Sequence, residues 1–517
     1  MTINERKSLP LWKKILAIFI SIIVFGFQIA LIILFINILL DFSQELYQSV
    51  VGIIYIVFQL IGIGYVLYIL KKPISVNYKL TWTFLILILP APFCLLYTCN
   101  SNSRSFSRRK QKKFNDAFKS ININYDLDIP KDYEYNNLIN VFKFNTNLPV
   151  YDNTKYTYFN DAKLKHEDML EELKNAKKYI LLEYFIIAKG KLFDSISPIL
   201  EQKAKEGIKI YILFDDVGSR GFLAKKLLKK FTEMENVFVN NYQPLGTNHK
   251  LMFNYRDHRK ICVIDGLVAY CGGDNLADEY IHEVNRFGYW RDNCGKYIGP
   301  AVMSFVYLFS EMWYLSTKEL IIDKLEKPQY EKNDNSGYVM VFGDGPSTIK
   351  TPAYDLFLEM INSAKKYLYI STPYFIIDEA MLKTIEAKAR SGVEVILLMP
   401  GNPDKKPVFY MGRSNYSRIL YSGVKIYEMN DSFNHAKNII VDDRYAFEGT
   451  INMDYRSLFL HYECGAIIMD NPEINKMKLD YLDAISKSKQ IIKEDWEKRP
   501  LIQKIVAFIL NIIAPFF

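Results

Sequence analysis

A short motif that occurs twice constrains this chain more than any other feature of its sequence. Each copy has the spacing H-x-K-x4-D, followed by small residues and an asparagine at the same intervals: His258, Lys260, Asp265, Gly272, Gly273 and Asn275 in the first copy, and His435, Lys437, Asp442, Gly449, Thr450 and Asn452 in the second. With six histidines in 517 residues, one H-x-K-x4-D motif is expected by chance on the order of 0.1 times. Two copies with the same spacing therefore indicate an internal repeat.

The segments that precede the two motifs also repeat. Residues 175–216 contain an apolar run, a helical stretch and a second apolar run, and residues 362–400 repeat this order. Strands that alternate with helices predict α/β layers. We therefore expect two tandem α/β domains, at 111–330 and 331–517, joined near the polar, turn-rich residues 325–340.

The residues around each histidine predict how the two motifs act together. KICVID and KNIIVDD are typical of strands, in which residues i and i+2 point to one face. The histidine and lysine of each motif then face the same way, and two halves that face each other would bring two imidazoles and two ammonium groups into one pocket. The lysines would neutralise phosphate oxygens, one imidazole would attack phosphorus, and the other would protonate the leaving alcohol and deprotonate the incoming one.

The other motif residues have two different expected roles. Asn275 and Asn452 follow turns of small residues and could present hydrogen-bond donors to the same phosphate. Asp265 and Asp442 stand five positions after the lysines, which turns them away from the shared face of a regular strand. We expect these aspartates to be structural supports rather than proton carriers.

The first 110 residues predict a membrane region rather than a soluble domain. Residues 15–40, 50–70 and 80–99 are uncharged runs of about the 20 residues that cross a hydrocarbon core. A cleavable signal peptide is the competing interpretation of the first run, but the run is too long for one and lacks a convincing cleavage site.

Basic residues around these runs predict their orientation. Basic clusters lie before the first run, after the second and after the third, whereas the segment between the first and second runs has none. Three crossings would separate the last cluster, 104–113, from the other two. If the third run, which contains Pro90 and Pro92, re-enters instead of crossing, all clusters and the catalytic part lie on the cytoplasmic side. The cluster would then attract anionic lipid by about 1 kcal/mol per basic residue.

The end of the chain turns hydrophobic again. Residues 505–517 are apolar apart from Asn511 and are too short to span a bilayer. Two interpretations stay open: a helix packed on the core, or a helix that lies in the membrane interface.

No sequence feature indicates a metal or a nucleotide cofactor. The six cysteines form neither a C-x-x-C pair nor a zinc-spaced set with histidine, and the chain has no G-x-x-x-x-G-K-[ST] loop. We expect incidental thiols, no metal and no cofactor.

The duplicated motif resembles the HKD motif of the phospholipase D superfamily. That resemblance implies one active site built from two phospholipase D-like halves, a phosphohistidine intermediate, and no need for a metal or nucleotide. It implies that His258, Lys260 and Asn275 pair with His435, Lys437 and Asn452. It also implies one carboxylate to orient each histidine, for which Glu463 fits in the second half and Asp292 in the first. The symmetry of the motifs leaves the nucleophile open, with a slight preference for His258.

Longer segments resemble bacterial cardiolipin synthases: LEYFII, DHRKICVIDG, CGGDNLADEYI, YWRD, TPYFI, FNHAKNIIVDD, GTINMDYRS and the final IAPFF. This resemblance implies transfer of a phosphatidyl group between two phosphatidylglycerol molecules, giving cardiolipin and glycerol. It also implies a multi-pass enzyme of the cell membrane that binds phospholipid and no nucleic acid. Asp257 replaces the usual Asn, and His461-Tyr462 replaces the usual Asn-Phe, which leaves the acceptor open.

Four alternatives use the same sequence features. With water as acceptor the protein would be a phospholipase D, and with another alcohol it would be a different phosphatidyltransferase. The hydrophobic runs disfavour a soluble nuclease with the same motif. The intact duplicated motifs argue against a catalytically silent membrane scaffold. The oligomeric state and the acyl preference stay open.

Overall fold

The computed structural model describes Gly26, Ala30 and residues 45–517, except for 73–75, 101–107, 119–120, 122, 126, 128, 131–132, 245–253, 333–336, 348–349, 513 and 515–517. The first predicted hydrophobic run, 15–40, lies outside the described residues except at those two isolated positions.

Apart from the isolated helical positions Gly26 and Ala30, the described residues before the catalytic part form three helices: α1 (Glu45–Leu70), α2 (Val76–Ile88) and α3 (Pro90–Asn100). Gly52–Leu70, with a mean hydropathy of 2.3, is the one helical segment among the described residues that is long and apolar enough to cross a membrane. It coincides with the second predicted run. The third predicted run forms two shorter helices that meet at Leu89, because Pro90 has no backbone N–H and is suited to begin a new helix. The described residues therefore contain one candidate span, at the second predicted run.

These three helices pack against one another around a small apolar cluster. Its buried members are Val66, Ile69, Trp82, Ile86, Cys94 and Tyr97. The rings of Trp82 and Tyr97 meet edge to face, with centroids 5.1 Å apart. The break before Pro90 thus lets α3 fold back onto α1 and α2.

The first half of the catalytic part (residues 108–324) contains these elements: α4 (Arg108–Phe118), α5 (Asn136–Asn145), β1 (Lys155–Phe159), α6 (Ala162–Lys174), β2 (Tyr179–Tyr184), α7 (Lys191–Lys205), β3 (Lys209–Asp215), α8 (Gly221–Thr232), β4 (Val237–Tyr242), β5 (Lys260–Ile264), β6 (Val268–Gly272), β7 (Tyr289–Arg291), β8 (Cys294–Ile298), α9 (Val302–Thr317) and the 3₁₀ turns Asp278–Ile281 and Ile322–Lys324. Seven strands form one mixed sheet in the order β1-β8-β6-β5-β2-β3-β4. Strands β2, β3 and β4 are parallel, and the other pairs are antiparallel.

The second half (residues 338–512) contains these elements: β9 (Tyr338–Asp344), α10 (Pro352–Ser363), β10 (Tyr367–Ser371), β11 (Phe375–Ile376), α11 (Glu379–Arg390), β12 (Glu394–Pro400), α12 (Lys406–Arg413), α13 (Tyr416–Tyr421), β13 (Lys425–Met429), β14 (Ser432–Asn434), β15 (Asn438–Val441), β16 (Tyr445–Gly449), β17 (Met453–Asp454), α14 (Tyr455–Phe459), β18 (Glu463–Met469), α15 (Glu473–Ser486), β19 (Ser488–Ile491), α16 (Lys493–Glu497) and α17 (Leu501–Ile512). Its sheet runs β9-β18-β16-β15-β10-β12-β13-β19. This is the order of the first sheet with β19 added at one edge, so the predicted repeat of two α/β units is confirmed.

The central strands follow from unbroken apolar sequence. Every residue of β2, YILLEY, is buried, and so is every residue of β10, YLYIS. Strands covered on both faces need such continuous runs rather than alternation of apolar and polar residues. Helix α9 contacts β4 and β5 of the first sheet and β9 of the second, so one apolar core extends through both halves.

Two short backbone pairings join the halves near the motifs. Strand β7 of the first half pairs in parallel with β14 of the second. A parallel bridge also joins Asp257 to Tyr462. These pairings place the start of each motif beside a segment from the opposite half.

Candidate active site

The two motif histidines lie at equivalent places in the two sheets. His258 comes just before β5, and His435 comes just before β15. Strands β5 and β15 occupy matching positions in the two sheet orders, and all their residues are buried. The strands predicted after the histidines are thus present.

Backbone hydrogen bonds attach each histidine to the other half. The N–H of His258 donates to the carbonyl of Tyr462 over 2.8 Å, and the N–H of His435 donates to the carbonyl of Arg291 over 2.7 Å. The residue after each acceptor is a carboxylate, Glu463 or Asp292. The main chain therefore positions a carboxylate of one half beside the histidine of the other.

Each histidine side chain contacts that carboxylate. Nδ1 of His258 lies 2.9 Å from Oε1 and 3.0 Å from Oε2 of Glu463, and Nδ1 of His435 lies 2.7 Å from Oδ2 of Asp292. The resemblance had assigned one carboxylate to each half, and the structure exchanges them between halves. With a carboxylate as acceptor, Nδ1 carries the proton and Nε2 keeps its lone pair.

The two motif lysines are buried beside the histidines. Nζ of Lys260 donates to the carbonyl of His258, and Nζ of Lys437 donates to the carbonyl of His435. Nζ of Lys437 also lies 3.0 Å from Nδ1 of His435. The backbone N–H of Lys437 donates to Oδ1 of Asn293 over 2.9 Å, which is a further contact between halves.

The site favours neutral imidazoles. Burial lowers the pKa of His258 well below its usual value, and the charges of Lys260 and Lys437 and the nearby His435 lower it further. Burial, followed by the charge of Lys437, lowers the pKa of His435 to about 4, although Asp292 opposes this change. Burial lowers the pKa of Lys437 to about 8. The two imidazoles and two ammonium groups therefore act on one another electrostatically, as expected for a single site.

The two carboxylates differ in their electrostatic setting. Burial alone would raise the pKa of Asp292, but His435 and Lys437 outweigh it and the net change is downward. Burial raises the pKa of Glu463 well above its usual value, against the opposing charge of Lys260. Asp292 is thus the carboxylate better suited to remain ionised next to a positively charged imidazole.

Two hydroxyl groups fix the position of Glu463. Oγ1 of Thr450 donates to Oε2 over 2.5 Å, and Oγ of Ser457 donates to Oε1 over 2.7 Å. Sequence reasoning noted Thr450 only as a small residue after the motif and did not single out Ser457. Both residues carry a hydroxyl group close to the predicted carboxylate, and this feature could have indicated that they bind it.

The two predicted asparagines have different surroundings. Oδ1 of Asn275 accepts from the N–H of Ile186 over 2.9 Å, and its Nδ2 donates to the hydroxyl of Tyr280 over 2.6 Å. Oδ1 of Asn452 is buried and has no hydrogen-bond partner in the described part of the chain. Asn275 is therefore committed to protein contacts, whereas Oδ1 of Asn452 can still accept a hydrogen bond.

The motif aspartates lie away from the histidines. Asp265 accepts hydrogen bonds from the N–H groups of Lys177, Lys178 and Tyr179 at the start of β2. Asp442 makes the same three bonds to the N–H groups of residues 365, 366 and 367 at the start of β10. Both aspartates have positive φ angles, 56° and 54°, because they lie in the turn after the strand. The structure does not bring them to the phosphate site.

Sequence reasoning also missed the rings around the histidines. The ring of His435 lies 5.3 Å from Trp290, 5.6 Å from Phe433 and 5.7 Å from Tyr280, measured between centroids. The ring of His258 lies 4.9 Å from Phe185 and 5.8 Å from His461. One side of the site is thus aromatic and the other is more polar.

No group of His, Cys, Asp and Glu side chains within the described ranges is arranged to hold a metal ion. The five cysteines whose side chains are described are free and buried. The site instead offers two imidazoles with free Nε2 atoms, each backed by a carboxylate, and two lysines. Two α/β repeats that share such a site define a phosphoryl-group-transferring protein of the phospholipase D type.

Comparisons with known proteins narrow this class. A family described as "Cardiolipin synthase, PLD-like domain" matches residues 169–286 and 357–485. Cardiolipin synthase from Alkalihalophilus pseudofirmus is 37% identical over 69% of this chain and 71% of its own length. Cardiolipin synthase 2 from Bacillus cereus is 38% identical over 67% of this chain and 68% of its own length. The chain belongs to the cardiolipin synthase family.

A solved structure confirms the fold. Phosphatidylserine synthase from Haemophilus influenzae Rd KW20 aligns with 75% of this chain and 100% of its own, with a TM-score of 0.58 and 16% sequence identity. At this identity the likeness concerns the fold alone.

Proposed function

We propose that this protein joins two phosphatidylglycerol molecules to give cardiolipin and glycerol. The observation that carries the proposal is the pair of histidine–carboxylate contacts made between the halves, in a chain of the cardiolipin synthase family. One phosphodiester bond replaces another, so the reaction needs no nucleotide energy source.

In the first step, Nε2 of His258 attacks the phosphorus of one phosphatidylglycerol. A P–N bond forms, the P–O bond to the glycerol headgroup breaks, and Nε2 of His435, which binds a proton once the phosphate is in place, gives that proton to the leaving oxygen. The strongly lowered pKa of His258 supports its role as nucleophile, because its lone pair is free at neutral pH. The ionised Asp292 supports His435 as the acid, because it stabilises the imidazolium.

In the second step, a hydroxyl of another phosphatidylglycerol attacks the phosphohistidine. Nε2 of His435 takes the hydroxyl proton, the new P–O bond forms, and the P–N bond to His258 breaks. Lys260 and Lys437 would neutralise the non-bridging oxygens, and Nδ2 of Asn452 would donate a hydrogen bond to one of them. The bound phosphate would also raise the pKa of His435, since it brings negative charge next to the ring.

The test uses full-length protein in mixed micelles with labelled phosphatidylglycerol as the only substrate. Cardiolipin and free glycerol should form in equal amounts, and both should be lost in His258→Ala and His435→Ala. Phosphatidic acid in place of cardiolipin would make the protein a hydrolase and contradict the proposal.

The proposed reaction takes place at the cytoplasmic face of the cell membrane. Helix α1 would span the bilayer, and α2 with α3 would re-enter on the cytoplasmic side. Nδ2 of Asn77, at the start of α2, donates to the hydroxyl of Tyr455 over 2.7 Å, which supports a catalytic part held against the membrane region. Protection of the C-terminus from protease in sealed inverted vesicles would contradict this orientation.

The C-terminal helix would add a second membrane contact. On one side, Leu510 packs with Val408 and Tyr455 of the second half, and Ala514, just after the helix, joins the same cluster. The opposite side leaves apolar residues exposed: Leu501, Ile502, Ile505, Val506 and Ile509. An amphipathic helix with this pattern suits the headgroup boundary of a bilayer. Ile502→Glu should weaken activity on vesicles more than activity in micelles, whereas the neighbouring Gln503→Glu should not.

A further inference from the structure

Helix α8 begins with two large apolar side chains that face solvent. Phe222 is 81% exposed and Leu223 is 53% exposed, although the opposite face of the helix is buried on the first sheet. No other large apolar side chain in the described part of the chain is as exposed as Phe222. Apolar side chains that are exposed singly are ordinary, whereas an adjacent pair at one tip is a candidate contact surface.

This tip lies at the edge of the sheet that carries the active site. The last residue of β3, Asp215, accepts a hydrogen bond over 3.0 Å from the backbone N–H of the residue before His258. In the turn between β3 and α8, Oγ of Ser219 donates to the carbonyl of Phe185 over 2.9 Å. The ring of Phe185 in turn lies 4.9 Å from that of His258. The turn that leads to Phe222 is therefore bound to the residue that packs on the proposed nucleophile.

The counterpart of α8 in the second half is α12, and that helix is covered. Strands β3 and β12 have matching places in the two sheets, and each helix begins six positions after its strand ends, from 215 to 221 and from 400 to 406. Leu223 therefore matches Val408, which is buried in a cluster with Tyr455 and the C-terminal helix α17. Tyr455 also accepts the hydrogen bond from Asn77 of α2. The second half thus covers this position with segments that we assign to the membrane contact, and the first half leaves it bare.

The exposed face of α8 is positively charged. Arg220 precedes the helix, and the helix itself has four lysines and no acidic residue, since Glu233 and Glu235 follow its far end. The lysines are all exposed: Lys225, Lys226, Lys229 and Lys230. Lys230 pairs with Glu201, whereas the described residues give the other three no ion pair. Lys226 is about 6 Å along the helix from Phe222, which is less than a Debye length of about 10 Å. An apolar tip with cations close behind it complements the headgroup boundary of an anionic bilayer.

We propose that residues 220–226, the α8 tip, form a further membrane-contact surface, which inserts Phe222 and Leu223 into the headgroup boundary of an anionic bilayer. This inference rests on the proposed function, in which the substrate is a phospholipid and α17 meets the same bilayer. The two repeats then make matching contacts on either side of the site, through α17 on α12 and through the α8 tip. A phospholipid headgroup enters between these contacts and reaches His258 without leaving the bilayer surface.

The direct test locates the tip with a fluorophore on the full-length protein in vesicles. Phe222→Cys is labelled with an environment-sensitive dye in a His258→Ala background, so that the lipid composition stays constant. The same background without the added cysteine measures labelling of the natural cysteines, five of which are free and buried. In vesicles of phosphatidylglycerol and phosphatidylcholine, lipids with a nitroxide near the headgroup should quench the dye at least twofold, and quenching should weaken without phosphatidylglycerol.

Leu267→Cys is the matched control, because Leu267 is an exposed leucine in the turn after β5, at the sheet edge opposite His258. Its dye should not be quenched. Equal quenching at both positions, or no quenching at position 222, would overturn the surface. A dye at position 222 that is shielded from water but not quenched by lipid would place a protein there and would also overturn it.

Activity gives a second and independent measurement. Phe222→Ser combined with Leu223→Ser should lower kcat/KM for phosphatidylglycerol about tenfold in vesicles, and Lys226→Gln about fivefold, with rates in mixed micelles within about twofold of wild type. Leu267→Ser and Lys177→Gln change exposed residues at the opposite edge and should leave both rates unchanged. Equal loss in vesicles and micelles would overturn the surface. A wild-type protein that made no cardiolipin, with the dye at position 222 still quenched, would refute the proposed function and support the surface.

Discussion

Removing the contact between His435 and Asp292 tests the proposed role of the carboxylate most directly. Nδ1 and Oδ2 are 2.7 Å apart, and both residues are buried. In Asp292→Asn, the imidazolium that forms when His435 accepts a proton loses its counter-charge. Breaking one partner of a buried ion pair costs about 3–5 kcal/mol. If this cost is added to the activation free energy of the reaction, kcat decreases by about 10²–10⁴-fold.

The amide introduced by Asp292→Asn would also disturb the tautomer. Its nitrogen could donate to Nδ1 of His435, as could Nζ of Lys437 at 3.0 Å, and the ring proton would then move to Nε2. In that tautomer His435 cannot accept a proton from the incoming alcohol. The loss should therefore appear in kcat rather than in KM.

The assay is the initial rate of glycerol release from phosphatidylglycerol in mixed micelles, together with thermal unfolding. Asp480→Asn is the matched control, because Asp480 pairs with Arg291, next to Asp292, and not with a histidine. The control should lose stability and retain most of its kcat. If Asp292→Asn kept kcat within about tenfold of wild type, orientation of His435 by Asp292 would be refuted.

Three further perturbations test the surrounding structure. Asp442→Ala removes three hydrogen bonds to backbone N–H groups. In urea titrations it should lower the free energy of unfolding by about 2–4 kcal/mol, with little change in kcat per folded molecule. An inactive but stable variant would contradict a structural role for Asp442. Lys437→Met should abolish turnover yet raise Tm at pH 7. Burial lowers the pKa of Lys437 to about 8, so the ammonium group that is present at pH 7 destabilises the folded state. A lower Tm would show that the stabilising ion contacts of Lys437 exceed the cost of burying its charge. The pKa of His435 is lowered from 6.5 to about 4 in the folded state. Between these two pH values the unfolded chain therefore binds more protons than the folded chain. The stability that His435 contributes above pH 6.5 is lost as the pH falls toward 4. Tm measured from pH 6.5 to pH 4 should fall less steeply in His435→Gln than in wild type, and an identical slope would contradict the lowered pKa.

The internal repeat and the pairs of histidine and lysine could be predicted from the sequence because both are local patterns. An H-x-K spacing with an apolar continuation predicts a strand with both side chains on one face, and its duplication predicts two such strands. The strands after His258 and His435 and the two α/β units follow from this.

The contact of each histidine with a carboxylate of the opposite half could not be predicted from a local pattern. His258 and Glu463 are far apart in the chain, and strand periodicity indicates the face of a sheet but not the partner across an interface. The contact depends on the pairing of β7 with β14 and on the bridge from Asp257 to Tyr462, both set by the packing of the two halves.

The aspartates and the third hydrophobic run show two other limits. Asp265 leaves the site because the chain turns after β5 with a positive φ, not because a regular strand alternates its faces. The length and composition of the run at 80–99 left open whether it crosses or re-enters; the structure begins a new helix at Pro90, one of the two prolines on which re-entry was predicted.

The most direct test of the central claim is to trap the covalent intermediate. Wild type, His258→Ala and His435→Ala would be mixed with phosphatidylglycerol labelled at phosphorus, quenched in denaturant at alkaline pH, and examined for label on the protein. We expect label on His258 in wild type, no label in His258→Ala, and slowly formed but persistent label in His435→Ala. Absence of label from all three proteins while cardiolipin still forms, or label on a residue other than the two histidines, would contradict the two-histidine mechanism.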